Sequence, residues 1–205
     1  MWEAKLGPNV ISYSAGISAC EKGKQWQLAL ALLSEMREVK LERNSISCNA
    51  GISALEKGSQ WQQALSLLSE MREAKLEPSA ISYVAGIRAC ERGEEWDQAL
   101  LLLCEARQGK VKLDILHYDA AIRACGTCKK WQVSLSLFRE MQQQKMKPDQ
   151  YSLAGATIAC GRQGEWQQAL SVALELWQSK LEPDTFSLSA TIKFLVQGIS
   201  RQKTT

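Results

Sequence analysis

Histidine occurs once in this chain, at His117, and proline only four times. One imidazole gives little from which to build a metal cluster or an acid–base pair. No apolar run approaches the ~18 residues that a membrane span needs. Ala99 to Cys104, among the longest, has the length of one helix face. No signal peptide opens the chain, and the seven cysteines are an odd number, so a reduced compartment is expected rather than a disulfide framework. No nucleophile sits with a base, and no phosphate loop or paired carboxylates mark a cleft. Cys125-x-x-Cys128 is a formal CxxC, but no second one exists, and His117 would supply a third ligand at best. The expectation is a binder without catalysis, metal or cofactor. With 45% hydrophobic and 23% charged residues the composition is that of a water-soluble globular chain. The net charge of +3 does not by itself argue for a polyanionic partner.

What the chain does have is repetition. Trp26, Trp61, Trp96, Trp131 and Trp166 stand 35 residues apart without slippage. A constant period in this range marks a repeat architecture. The units run 10–44, 45–79, 80–114, 115–149 and 150–184, with 1–9 as the end of a preceding unit and 185–205 as a partial unit with a polar tail. The first eight residues, MWEAKLGP, align with MREAKLEP at 71–78, so the chain opens inside a second helix and the parent array is expected to be longer.

Each unit reads as two helices. In unit one the first spans about Ile11 to Glu21, with Ala15, Gly16 and Ala19 allowing close approach of a neighbour and Ile17 and Cys20 adding apolar surface. Gly23 stands where a helix C-terminus is expected. The second spans about Gln25 to Lys40. Trp26, Ala29, Leu30, Leu33 and Met36 recur at helical spacing, and Glu35, Arg37, Glu38 and Lys40 take the opposite face. Pro8, Pro78, Pro148 and Pro183 fall between units, where they end one helix without harming the next. A lone helical hairpin cannot bury its apolar stripe, whereas stacked hairpins can. Cys20, Cys90, Cys125 and Cys160 share one unit position with Leu55, which reads as a packing slot. Successive copies of that slot lie about a hairpin apart, near 10 Å, too far for a disulfide.

Unit one, VISYSAGISACEKGKQWQLALALLSEMREVKLERN, resembles the pentatricopeptide repeat at Tyr13, Ala29–Leu30, Leu33 and Met36, and the boundary Lys180-Leu181-Glu182-Pro183-Asp184 fits its closing pattern. The wording QWQQALxLLSEM is similar to organellar sets of this family in dinoflagellate algae. The tetratricopeptide repeat differs, with 34 residues and a W-x2-L-G opening on its first helix. The resemblance implies an all-α, right-handed α-solenoid of stacked helix–turn–helix repeats.

It also implies a partner, single-stranded RNA, read at about one base per repeat. Positions 5 and 35 of a unit share the choice of base. The implied pairs are Ser14 with Asn44, Asn49 with Ser79, Val84 with Asp114, Asp119 with Asp149, and Ala154 with Asp184. Position 2 sandwiches the bases, giving Ile11, Ile46, Ile81, Leu116, Tyr151 and Phe186. A basic residue at position 13 lies near phosphate, giving Lys22, Lys57, Arg92 and Arg162, with Thr127 interrupting the row. The family pattern assigns adenine to Ser–Asn and cytosine to Asn–Ser, and associates Asp at position 35 with guanine or uracil. Val84 and Ala154 cannot hydrogen-bond through their side chains, and Asp119 puts a carboxylate where an amide is usual, so units three to five depart from that pattern.

Residue chemistry allows plainer readings of the same positions. Asn44, Ser79, Asp114, Asp149 and Asp184 are all N-cap types. Lys22 and Lys57 each follow a glutamate, as on a solvated edge, and the Ile11 row could be ordinary core. The functional expectation is an organellar RNA-binding array, acting in plastid or mitochondrial transcript processing, stability, editing or translation. It would be monomeric, meet RNA-processing proteins and make no use of a membrane. The alternatives are a tetratricopeptide-like protein-interaction scaffold and a truncated product without an independent role.

Overall fold

The structure, a computed structural model, describes residues 9–162 and 165–178, with 189 and 192. Ten helices of 13 residues each occupy the described chain: α1 Val10–Lys22, α2 Trp26–Glu38, α3 Ser45–Lys57, α4 Trp61–Glu73, α5 Ala80–Arg92, α6 Trp96–Gln108, α7 Ile115–Thr127, α8 Trp131–Gln143, α9 Gln150–Arg162 and α10 Trp166–Gln178. No strand occurs among the described residues.

The first helix of each hairpin starts on a capping box. The side chains of Asn9, Asn44, Ser79 and Asp114 accept from the backbone N–H three residues on, where Ser12, Ser47, Ser82 and His117 reach back to the cap's own N–H. This satisfies two donors that would otherwise be orphaned at a helix start. The second helices start at tryptophan with no side-chain cap.

Helix ends are sharp. Gln25 N–H bonds Cys20 O at 2.8 Å and Leu41 N–H bonds Met36 O at 2.9 Å, the long bond of a Schellman closure. That closure needs a left-handed residue, and glycine does not supply it. Lys24, Ser59, Glu94 and Lys129 end the first helices at φ of 57–63°, and Lys40, Lys75, Lys110 and Lys145 end the second helices at 55–58°. Gly23, Gly58 and Gly93, one residue earlier, have ordinary right-handed φ of −79°, −86° and −85°.

The chain divides into two compact units, Met1–Gly93 and Glu94–Thr205. In the first, α1 packs on α2 and α3, and α3 packs on α4 and α5. Its core holds Ile17, Met36, Ile52, Leu55, Leu68, Met71 and Ile87, all buried. In the second, α7 packs on α6, α8 and α9, and α9 packs on α10. Tyr118, Ile122, Phe138 and Met141 are fully enclosed there. Each such side chain contributes about 1.5–3 kcal/mol by leaving water.

The glycines at unit position 14 have a packing reason. A Cβ on Gly58 would lie 2.4 Å from Trp26 Cδ1, and one on Gly93 would lie 2.2 Å from Trp61 Cδ1. Each indole lies over the end of the next first helix. In unit four the position is Cys128, whose thiol donates to Glu94 O at 2.9 Å, while the Lys130 ammonium sits 4.9 Å from the centre of the Trp96 ring.

Candidate nucleic-acid interface

Unit position 2 is the second residue of each first helix, on a side of its first turn that the described residues leave open. Ile11, Ile46, Ile81, Leu116 and Tyr151 are therefore 46–77% exposed. Five large apolar side chains at one repeat position face solvent, so the row is not core. Phe186 lies outside the described residues.

The position-35 residues stand immediately before these helices. Asn44, Ser79 and Asp149 are half-buried and Asp114 is exposed. All four cap the following helix, and capping leaves part of each side chain unused. Asn44 Oδ1 accepts from Ser47 N–H at 2.8 Å, while its Nδ2 donors have no partner among the described residues. Asp149 Oδ1 accepts from the Tyr151 and Ser152 N–H groups at 3.1 and 2.9 Å and from Ser152 Oγ at 2.6 Å. Asp114 Oδ1 accepts from Leu116 N–H at 3.0 Å and lies 2.7 Å from His117 Nδ1. His117 thus fills the slot that serine takes elsewhere, fully buried, with Nε2 unpartnered among the described residues. Asp184 lies outside the described residues.

The position-5 column is the covered one. Ser14, Val84, Asp119 and Ala154 keep only 4–9% exposure, and Asn49 is half-buried. Ser14 Oγ donates to Val10 O at 2.7 Å and stands 3.5 Å from Asn44 Oδ1. Asn49 Nδ2 donates to Ser79 Oγ at 3.2 Å. Asp119 forms an ion pair with Arg123 at 3.7 Å. Positions 5 and 35 therefore meet in the first two implied pairs, and the exposed polar atoms belong mainly to position 35.

The basic row is largely neutralised from the preceding unit. Lys57 Nζ is 2.9 Å from Glu21 Oε1, and an Arg92 guanidinium nitrogen is 3.2 Å from Glu56 Oε1. Lys22 is exposed with no acidic partner among the described residues. Thr127 Oγ1 donates to Ala124 O at 2.9 Å, and the Arg162 side chain lies outside the described residues. A second set of cross-unit pairs, Arg37–Glu70 at 2.8 Å and Arg107–Glu140 at 2.5 Å, links second helices instead. A groove of about 580 Å³ also lies on the second-helix side, lined by Trp131, Leu135, Arg139 and Gln168 among others, and no residue of positions 2, 5 or 35 borders it.

Burial fixes the state of the cysteines. It pushes the Cys125 thiol up to about 12, with the nearby Cys128 adding to the shift, and the Cys160 thiol up to about 11, with Glu165 adding. All seven cysteines are free. Among the described residues no group of three or more His, Cys, Asp or Glu could hold a metal ion, and no helix is long and apolar enough to cross a membrane.

Among solved structures the chain is similar to the pentatricopeptide repeat protein PPR10 from maize, at 18% identity and a TM-score of 0.69 over 93% of this chain. The match covers 27% of PPR10, so the chain spans about a quarter of that protein's length. It is also similar to the PPR domain of Arabidopsis thaliana protein-only RNase P 1, determined in complex with tRNA, at 12% identity and a TM-score of 0.77, covering 91% of this chain and 98% of that one. A second structure of PPR10, in complex with an 18-nt psaJ RNA element, matches at 19% identity and a TM-score of 0.65, covering 94% of this chain and 32% of that one. These likenesses establish the all-α pentatricopeptide solenoid fold. No curated protein sequence matches the chain. A family model described as pentatricopeptide repeat-containing protein matches residues 19–141, more than half of the chain. With that match and the repeating hairpins, the chain belongs to the pentatricopeptide repeat family.

Proposed function

We propose that this array binds single-stranded RNA, reading about one base per repeat, and serves organellar RNA metabolism as a binder without chemistry of its own. The observation that carries this reading is the exposed apolar row at position 2 beside the capping residues of position 35. Apolar side chains in solvent offer faces on which unstacked bases rest whatever their sequence. Amide, hydroxyl and carboxylate groups next to them can read a Watson–Crick edge. The fold is shared with PPR10, whose structure was determined with an 18-nt RNA element. The direct test is binding to short single-stranded RNAs at low and moderate salt. No binding to any sequence by the intact array ends the proposal. A second test replaces Asn49 and Ser79 together by Asp. The expected result is an altered base preference at one nucleotide, and an unchanged preference removes the two-residue readout. An RNA-independent protein scaffold is the competing reading, favoured by the aliphatic character of Ile11, Ile46 and Ile81. A protein complex that survives nuclease treatment would support it. Localisation to a plastid or mitochondrion is part of the proposal, and imaging the tagged protein in its own cells checks it.

A further inference from the structure

We propose that Ser82 is a positioning residue that sets which end of the Asn49 side-chain amide is offered to RNA. This rests on the RNA-binding reading above and adds a residue outside the base-choosing pair. Three side chains form a closed hydrogen-bonded ring. Ser82 Oγ is 2.6 Å from Asn49 Oδ1, Asn49 Nδ2 is 3.2 Å from Ser79 Oγ, and the two serine oxygens are 3.0 Å apart. The Ser79 backbone N–H also donates to Ser82 Oγ at 2.8 Å.

Such a ring can in principle run in either direction, because hydroxyls both donate and accept. The distances choose between the two. A separation of 2.6 Å suits O–H···O and is too short for N–H···O, whereas 3.2 Å suits N–H···O. Ser82 therefore donates to Oδ1, and the amide nitrogen faces Ser79. Burial gives that choice a consequence. Ser82 is 0% exposed, so Oδ1 is directed into the protein, while Ser79 is half-exposed. The uncommitted Nδ2–H lies on the accessible side.

Of the two pyrimidines, a donor on that side matches cytosine, whose N3 is an acceptor. Uracil carries N3–H there, which needs an acceptor that Oδ1, held by Ser82, does not supply. The first unit lacks this arrangement. Ser47, at the same position as Ser82, donates to Asn44 O at 2.9 Å, and Ser14 turns to Val10 O. In unit four Ser152 donates to Asp149 Oδ1 instead. Among the described residues Asn49 is the one amide at position 5, and the ring is built on its two ends.

The experiment compares Ser82→Ala and Ser82→Thr with the unaltered protein. Binding is measured for short RNAs in which cytosine is replaced by uracil at each position in turn. The unaltered chain should favour cytosine about tenfold at one position. Ser82→Ala should reduce that ratio to about twofold or less while binding to the other RNAs persists, and Ser82→Thr should restore it. The Asn49 side-chain amide resonances report the same event without RNA, and should shift in Ser82→Ala and stay in place in Ser82→Thr. A ratio that survives in a folded Ser82→Ala, or an Asn49 amide signal that does not move, overturns the role of Ser82 alone. Absence of RNA binding by the unaltered chain overturns the RNA reading and this inference together.

Discussion

Gly93 lies so close to Trp61 that the smallest side chain would place a carbon 2.2 Å from indole Cδ1. Trp61 begins α4 and Gly93 ends α5, so the contact joins one hairpin to the next. Two units therefore share a constraint that neither shows by itself. The obstructing atoms, Cδ1, Cγ and Nε1 of Trp61, belong to a rigid ring and not to the far end of a flexible chain.

Gly93→Ala and Gly58→Ala should each destabilise the array by about 1–3 kcal/mol, the cost of overpacking a filled site. Gly23→Ala is the internal control. A Cβ there meets nothing closer than 3.4 Å, and its φ of −79° suits alanine. It should be neutral or stabilising by a few tenths of a kcal/mol. Urea denaturation of the three variants measures the difference. Equal effects at all three sites would refute the indole explanation.

The left-handed residues offer the opposite experiment. Lys75 ends α4 at φ 57° and is exposed. A side chain in that conformation costs about 1–2 kcal/mol, and glycine gives back about 0.5–1 kcal/mol through its larger loss of chain entropy. Lys75→Gly should therefore stabilise by about 0.5–1 kcal/mol, while Lys75→Ala should give no gain. Thermal melts of the pair decide it.

The buried thiols predict an alkaline limit. Cys125 and Cys160 are raised from an ordinary 9.0 to about 12 and about 11. Above pH 9 the unfolded chain loses these protons and the folded chain keeps them. Their contribution to stability is complete below pH 9. It declines as pH rises toward about 11 for Cys160 and about 12 for Cys125, by at most about 1.4 kcal/mol per pH unit per thiol. Cys125→Ala should flatten the fall in unfolding free energy between pH 9 and 11, whatever it does to stability at neutral pH. In the native protein at pH 8, iodoacetamide should modify exposed Cys104 and leave Cys125 and Cys160 untouched, as read by mass spectrometry.

These effects also mark where sequence reasoning reached and where it stopped. The tryptophan period and the small residues of unit one led to two helices per unit, and α1, α3, α5, α7 and α9 begin at Val10, Ser45, Ala80, Ile115 and Gln150. Position 14 reads as a helix-ending glycine, yet the left-handed residue is the next one. What requires glycine is an indole 32 residues earlier, which local rules do not contain. The 35-residue period lined up Ser14, Asn49 and Asp119 but did not show that Ser14 and Asp119 are nearly covered while Asn49 is half-buried. In the same way, Glu21 stands next to Lys22 in sequence while its ion pair is with Lys57, 36 residues on. Contacts between repeats are set by stacking, and one repeat's residues do not spell them out.

Those ion pairs bear on RNA affinity. Glu21→Gln with Glu56→Gln would release Lys57 and Arg92 for phosphate. Binding at low salt should strengthen several-fold, and the slope of log affinity against log salt should steepen by up to about 0.7 per released cation. Stability should change by no more than about 1 kcal/mol at Lys57–Glu21, whose side chains are 31 and 27% exposed, and by more at Arg92–Glu56, where Glu56 is only 11% exposed. A salt slope that does not move would place Lys57 and Arg92 away from the RNA.

The exposed row gives the sharpest separation of function from packing. Ile46 is 66% exposed and Ile52, on the same helix, is 0% exposed. Ile52→Ala should cost about 2–5 kcal/mol of stability through the cavity it leaves. Ile46→Ala should leave stability within about 0.5 kcal/mol, as for a surface change. If position 2 supports bases, Ile46→Ala should still weaken RNA binding several-fold. Tyr151→Ala should weaken it more, since stacking on an aromatic ring is worth about 1–3 kcal/mol per base. Fluorescence anisotropy with one labelled RNA, run beside the melts, reads both quantities on the same samples. An Ile46→Ala protein that is fully stable and binds RNA as the unaltered chain does would leave the exposed row without the role proposed for it.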